Sequence, residues 1–212
     1  MPLFNKWKED GATWGIWHVT ETPQELQSFL TLLSFDPVEL AQFKCTSRQL
    51  EYLAVRVLVR ELTGEEYRIS HHDSGKPYLL NSSMHITISH TKGYVAVGLH
   101  PTKEIGVDIE QVSDRVMKVT SRFIRPDEFK GLSKLSSDTQ LYVCLLAWSA
   151  KETMFKVLNA SEVDFLEHLH VSKFTLQTAG VFIGHEYRTP KKQTFAIHYQ
   201  THPDFVLTYL TV

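Results

Sequence analysis

Cysteine is scarce in this 212-residue chain, which has two, Cys45 and Cys144. Two thiols so far apart exclude a cysteine-rich zinc site. They suit a reducing, cytoplasmic setting, and nothing requires them to pair. Net charge is also small: 22 Lys and Arg stand against 24 Asp and Glu, a formal balance of −2. That gives no overall field for nucleic acid, although a local basic patch stays open. Long apolar runs are missing. The start, MPLFNKWKEDGATWG, holds no stretch of signal-peptide length, and no later segment could cross a bilayer. Neither a GxxxxGK[ST] loop nor a GxGxxG turn after a strand occurs, so an ordinary nucleotide-binding fold is not expected. No low-complexity linker marks a domain boundary.

What is present reads as a globular protein with a sizeable core, at 42% apolar and 22% charged residues. TWGIWHV (13–19) reads as a strand. Thr22-Pro23 opens a helix through about Leu33, with Thr as N-cap and Pro at the first helical position. SRQLEYLAVRVLVRELTG (47–64) places Leu50, Leu53, Ala54, Val57 and Leu58 on one helical stripe, and Gly64 suits its stop. HDSGKPYL (72–79) has turn chemistry. HITISH (85–90) and GYVAVGLH (93–100) form a hairpin, and IGVDIE is a third strand after the turn at Pro101-Thr102. A helical region follows from about Asp114, restarted by Pro126. DTQLYVCLLAWSAKETMFKVLN (138–159) is a long helix with Asp138 as N-cap. HVSKFTL, GVFIGHEY, QTFAIHYQ and FVLTYLTV close the chain as strand-like runs. The order favours an α+β fold over a doubly wound sheet. The helix at 47–64 and the helix at 138–159, each followed by strands, suggest two related halves, residues 1–100 and 101–212.

On a strand, residues two apart face one side, so Asp108 and Glu110 project together while Val107 and Ile109 face away. A solvated strand end would show the same spacing. Yet this face holds two acids and no Lys, Thr or Ser to balance them, and like charges that close repel unless a cation intervenes. Carboxylates without a Cys or His cluster favour a hard ion, Mg²⁺ in particular, which commonly takes one or two protein carboxylates and completes its shell with water and phosphates. On the long helix, Trp148, Glu152 and Lys156 line one face. A surface Glu–Lys pair is the plain reading. The Trp on the same stripe argues for burial, and a buried Glu needs a cation, either Lys156 or a metal. Ser89-His90 at a strand end can bind phosphate oxygens or cap the turn. Lys76 sits beside Pro77 after a Gly turn, either a stiffly presented phosphate ligand or a solubilising surface lysine. Taken together, acids for Mg²⁺ with Lys76, Lys151, Lys156 and His90 for oxyanions describe a diphosphate site.

The order of these pieces resembles the phosphopantetheinyl transferases of the longer, single-chain Sfp type. That family carries a G-[IV]-D-x-E strand and, about forty residues later, a helix reading [FW]-x-x-K-E-[AS]-x-x-K. Here they are Gly106-Val107-Asp108-Ile109-Glu110 and Trp148-Ser149-Ala150-Lys151-Glu152-Thr153-Met154-Phe155-Lys156, with Thr153 in place of the usual Ala or Ser. Gly75-Lys76-Pro77 and Ile88-Ser89-His90 match upstream. Arg122-Phe123 with Glu128 is similar to the family's R-F-F-x-x-x-E segment, with Ile124 at the second Phe. The resemblance covers about residues 45 to 160.

It implies two similar α+β halves forming a pseudo-dimer, with the active site in the cleft between them, and a monomeric protein. It implies coenzyme A as donor, Mg²⁺ as cofactor and a serine of an apo acyl or peptidyl carrier protein as acceptor. Asp108, Glu110 and Glu152 would hold the metal. Lys151 and Lys156 would contact phosphates, and Lys76, Ser89 and His90 the nucleotide end. Arg48 would meet the ribose phosphate, with Arg56 as its rival. Glu152 is the candidate base, directly or through a metal-bound water, and Lys156 could protonate the leaving oxygen. The segment Val112 to Phe129, with Arg115, Lys118, Arg122 and Arg125 among Val116, Met117, Val119 and Phe123, is a candidate carrier-docking helix or an ordinary amphipathic one. A non-catalytic binder of coenzyme A or diphosphate, and a metal-dependent phosphohydrolase, are the competing functions.

Overall fold

Eight of the eighteen residues in Thr46–Thr63 are buried, and Gly64 closes that helix in the left-handed conformation at φ 79°. Only a glycine adopts that angle without strain, and it lets the Gly64 N–H return to the Arg60 carbonyl. In the computed structural model, which describes residues 3–158 and 160–212, this helix packs on the first of two compact units, residues 1–105. Its strands are β1 (Leu3–Glu9), β2 (Ala12–His18), β3 (Ile69–His71), β4 (Pro77–Leu79), β5 (His85–Thr91) and β6 (Tyr94–His100). Its helices are α1 (Pro23–Ser28), α2 (Pro37–Gln42) and α3 (Thr46–Thr63). The main sheet runs β1-β2-β6-β5, with every pair antiparallel, and β3 and β4 form a separate hairpin. Leu53, Ala54, Val57 and Leu58 of α3 meet Trp17, Val95, Val97 and Leu99 of the sheet in one apolar cluster.

The second unit, residues 106–210, has its own core. Its sheet runs β7 (Ile105–Gln111), β11 (Phe205–Thr211), β10 (Thr194–Thr201), β9 (Ala179–Glu186) and β8 (Leu169–Val171). One long helix, α4 (Ser137–Val157), packs Leu146, Ala147, Ala150 and Met154 against Phe182, Ile197, Tyr199 and Val206. Helices and largely antiparallel strands combine in each unit, so the fold is α+β.

Three helical expectations need correction. The helix opened by Thr22 ends at Ser28, not Leu33. Beyond it, the Glu66 carboxylate takes the Thr31 N–H at 2.9 Å and the Ser34 hydroxyl at 2.7 Å, folding the chain into a turn. A separate helix, α2, then starts at Pro37 under the Asp36 cap. The region after Asp114 contains only short 3₁₀ turns, Asp114–Lys118, Thr120–Arg122 and Leu132–Lys134, and Pro126 restarts no α-helix. There the Glu128 side chain folds back onto the Arg125 N–H at 2.6 Å. The long helix is capped by Ser136, two residues before Asp138, and its expected last residue, Asn159, lies outside the described residues.

Candidate active site

Gly106, Asp108 and Glu110 alternate along β7, and all three meet α4. A Cβ on Gly106 would lie 2.5 Å from the Thr153 carbonyl oxygen, so only glycine lets strand and helix approach this closely. Asp108 accepts from Lys156 Nζ at 3.0 Å, and the same ammonium reaches the Val107 carbonyl at 2.7 Å. Glu110 accepts from Trp148 Nε1 at 2.7 Å. Strand and helix therefore touch at three points, 106 against 153, 108 against 156 and 110 against 148. The Thr153 side chain lies between Gly106 and β11. Its hydroxyl meets Thr208 Oγ1 at 2.6 Å, and Ser149 meets the same hydroxyl at 2.8 Å. The departure from Ala or Ser is thus absorbed by a buried hydroxyl group on β11.

Asp108 is 4% exposed, and Glu110 and Glu152 are partly buried. Burial first, and then the Asp108 charge, push the Glu152 carboxyl up to about 7. Lys156 opposes the shift and Glu110 adds to it. Glu110 is also raised, by burial and by Asp108, against the pull of Trp148 and Lys156. The three acids feel one another, with Lys156 as the opposing charge. Among the described residues, no group of three or more His, Cys, Asp or Glu side chains is already gathered as a metal cage.

Lys151 does not sit where a phosphate contact would. It is fully buried, with Nζ 2.8 Å from Glu128, which is equally buried. The ammonium also donates to the Phe123 carbonyl and, at 3.1 Å, to the Phe165 carbonyl. The physical reason is the loop 113–135, which covers this side of α4 and brings Glu128 inward. Glu128 belongs to the segment matched in sequence, but its pairing with Lys151 lay beyond sequence reasoning because the two are joined through irregular chain.

The remaining expected residues lie in the first unit. Arg48 donates to Glu51 at 2.7 Å and stands 3.2 Å from His90 Nε2. Both line a cavity of about 280 Å³ with Tyr52, Arg56, His71 and Gly75. Arg56, the rival, is buried. It donates to the Ser34 and Tyr52 carbonyls at 2.9 and 2.8 Å and lies over the Tyr52 ring. Ser89 is buried within β5. Lys76 pairs with Glu104 at 2.5 Å, and Glu104 also reaches His85 at 3.4 Å. Glu51 and Glu104 went unnoticed in the sequence, where a lone acid on a helix or before a strand carries no signal. In the segment 112–129, Val116 and Phe123 are core, whereas Arg115, Lys118 and Arg122 are exposed.

Comparison with known proteins completes the description. The chain is 32% identical over 108 residues to the 4'-phosphopantetheinyl transferase ffp of Bacillus subtilis, covering 47% of this chain and 48% of that protein. It is 24% identical over 144 residues to the 4'-phosphopantetheinyl transferase gsp of Aneurinibacillus migulanus, covering 67% and 56%. The L-aminoadipate-semialdehyde dehydrogenase-phosphopantetheinyl transferase of Homo sapiens matches at 23% over 203 residues, covering 84% and 65%. The chain spans about half the length of the curated bacterial relatives it matches. A family model described as the 4'-phosphopantetheinyl transferase superfamily matches residues 104–210, the stretch that holds β7, α4 and every residue of the acidic face. The chain belongs to the 4'-phosphopantetheinyl transferase superfamily.

Proposed function

We propose that the protein transfers the 4'-phosphopantetheine arm of coenzyme A to a serine of an apo carrier protein, with Mg²⁺ as cofactor. The observation that carries this reading is the β7–α4 junction. Burial there, and then the nearby Asp108 charge, hold the Glu152 carboxyl near neutral pH, and Glu110 adds to the shift. An all-oxygen, mutually repelling donor set fits a hard divalent cation. Asp108, Glu110 and Glu152 would hold that ion, which when bound would neutralise diphosphate charge and polarise the phosphoryl oxygens.

The chain's own groups do the rest. The serine oxygen attacks the phosphorus that bears the pantetheine arm. The bond from that phosphorus to the bridging oxygen breaks, and adenosine 3',5'-bisphosphate leaves. Glu152 is the candidate to take the serine proton. Lys156 faces the same acids and can give a proton to the leaving oxygen. In the first unit, Arg48 and His90 would meet the nucleotide end, with Ser89. Lys76 would exchange Glu104 for a ligand phosphate. The exposure of Arg48 favours it over the buried Arg56 for this contact. The exposed Arg115, Lys118 and Arg122 would attract an acidic carrier surface. A monomer working in the cytoplasm belongs to the same proposal.

The test is incubation of the purified chain with coenzyme A, Mg²⁺ and a panel of apo carriers, read by mass spectrometry. A carrier mass gain of one phosphopantetheine arm supports transfer. Nucleotide release without carrier modification supports hydrolysis instead, and binding of coenzyme A without either product supports a scaffold.

A further inference from the structure

Lys151 is 0% exposed, and its three donor hydrogens have three partners: the Phe123 carbonyl, the Phe165 carbonyl and the Glu128 carboxylate. Glu128 is held from other sides, by the Val171 N–H at 2.8 Å and the Arg125 N–H at 2.6 Å. Nothing in this arrangement leaves the ammonium for a dissolved phosphate. Burial pulls the ammonium below the ordinary lysine value, and Glu128 opposes that pull. A buried ion pair contributes little net stability, because desolvation offsets its attraction, so its value lies in what it fixes.

What it fixes is specific. Phe123 and Phe165 both lie in chain without regular secondary structure, one before α4 and one after it. Both rings pack on Trp148, with centroids at 5.1 and 5.5 Å. Trp148 in turn donates to Glu110 at 2.7 Å. We infer that Lys151 and Glu128 form a positioning pair: by holding the Phe123 and Phe165 carbonyls they seat two aromatic rings on Trp148, and so fix the indole that orients Glu110. The catalytic consequence rests on the transferase reading. The positioning itself does not.

The test uses the full chain labelled with 5-fluorotryptophan, as wild type, Lys151→Met, Glu128→Gln and the double variant. The Trp148 fluorine signal is assigned through Trp148→Phe. In Lys151→Met that signal shifts or broadens, while those of Trp7, Trp14 and Trp17 stay in place. Coenzyme A binding measured without Mg²⁺ stays within twofold of wild type. The kcat for transfer falls at least tenfold, with KM for coenzyme A changed less than twofold. Glu128→Gln moves the same signal and lowers kcat in the same direction. The double variant, which leaves no unpaired charge, melts above Lys151→Met. Should Lys151→Met fail to fold, Glu128→Gln, which keeps an acceptor for Val171, carries the same comparison. A Trp148 signal that stays in place, together with coenzyme A binding weakened tenfold or more, would make Lys151 a direct phosphate ligand and overturn the inference. A wild-type chain that modifies no carrier defeats the transferase reading, while the fluorine signals still decide the positioning.

Discussion

Glu152 combines two properties that usually conflict, the metal-ligand role proposed for it and a carboxyl raised from 4.5 to about 7. In the metal-free protein the folded state holds this proton more tightly than the unfolded chain does. The group's contribution to stability is therefore complete below about pH 4.5 and is lost as pH rises through about 7. The loss is on the order of 3 kcal/mol, since each tenfold change in proton affinity is worth roughly 1.4 kcal/mol. Glu152→Gln removes it. Without metal, that variant should gain stability over wild type between pH 5 and pH 8 in urea melts, and an equal difference at both pH values would contradict the assignment. Mg²⁺ should raise the melting temperature of wild type more at pH 8 than at pH 5, because its ligands must be ionised, and should do little for Glu152→Gln. A uniform shift in both proteins would point to a non-specific salt effect. Asp108 with Glu110, and Glu152 with Lys156, were legible as pairs because strand and helix periodicities are fixed by backbone geometry, whereas their meeting was implied only by the family resemblance. The partner of Lys156 was less legible. An i, i+4 bond to Glu152 was the local expectation, whereas the ammonium reaches to Asp108 on a different element. Lys151 was misread for the same reason. Its burial depends on a loop whose path no local pattern dictates.

At the scale of elements, the site is a strand and a helix in unusually close contact, and Gly106 permits it. Gly106→Ala places a methyl 2.5 Å from a helix carbonyl, which has no freedom to step aside. Overpacking of this kind costs about 1–3 kcal/mol. Gly106→Ala should lower the urea midpoint accordingly and reduce transfer by displacing Asp108 from Lys156. Unchanged stability would mean that β7 and α4 are less closely apposed than described. The long helices and the strands around them could be read in the sequence because many residues agree on one period. The shorter elements could not. Helix α1 stops where Glu66, far along the chain, captures Thr31 and Ser34. The Asp114 region carries helical composition but commits its hydrogen bonds to 3₁₀ turns and to Glu128. In both places a distant side chain outweighs local propensity.

The whole molecule contains two units, each with its own apolar core, and family membership rests on the second. The mixture of helices and antiparallel strands was visible in the sequence, since the order of periodicities changes along the chain. The cavity beside Arg48 and His90 was not, because its walls come from segments that periodicity treats separately. Partner recognition also belongs to this scale. Arg115→Glu with Arg122→Glu should raise KM for an acidic carrier at least fivefold in low salt, leave KM for coenzyme A unchanged, and lose most of that effect at high salt. A carrier KM indifferent to both charges would move the docking surface elsewhere. The most direct measurement of the central claim is the mass of an apo carrier after incubation with coenzyme A and Mg²⁺, using wild type and, at matched circular dichroism, Asp108→Ala and Glu152→Ala. The account predicts one added phosphopantetheine arm with wild type and none with either variant. Near-normal carrier modification by either variant would contradict it.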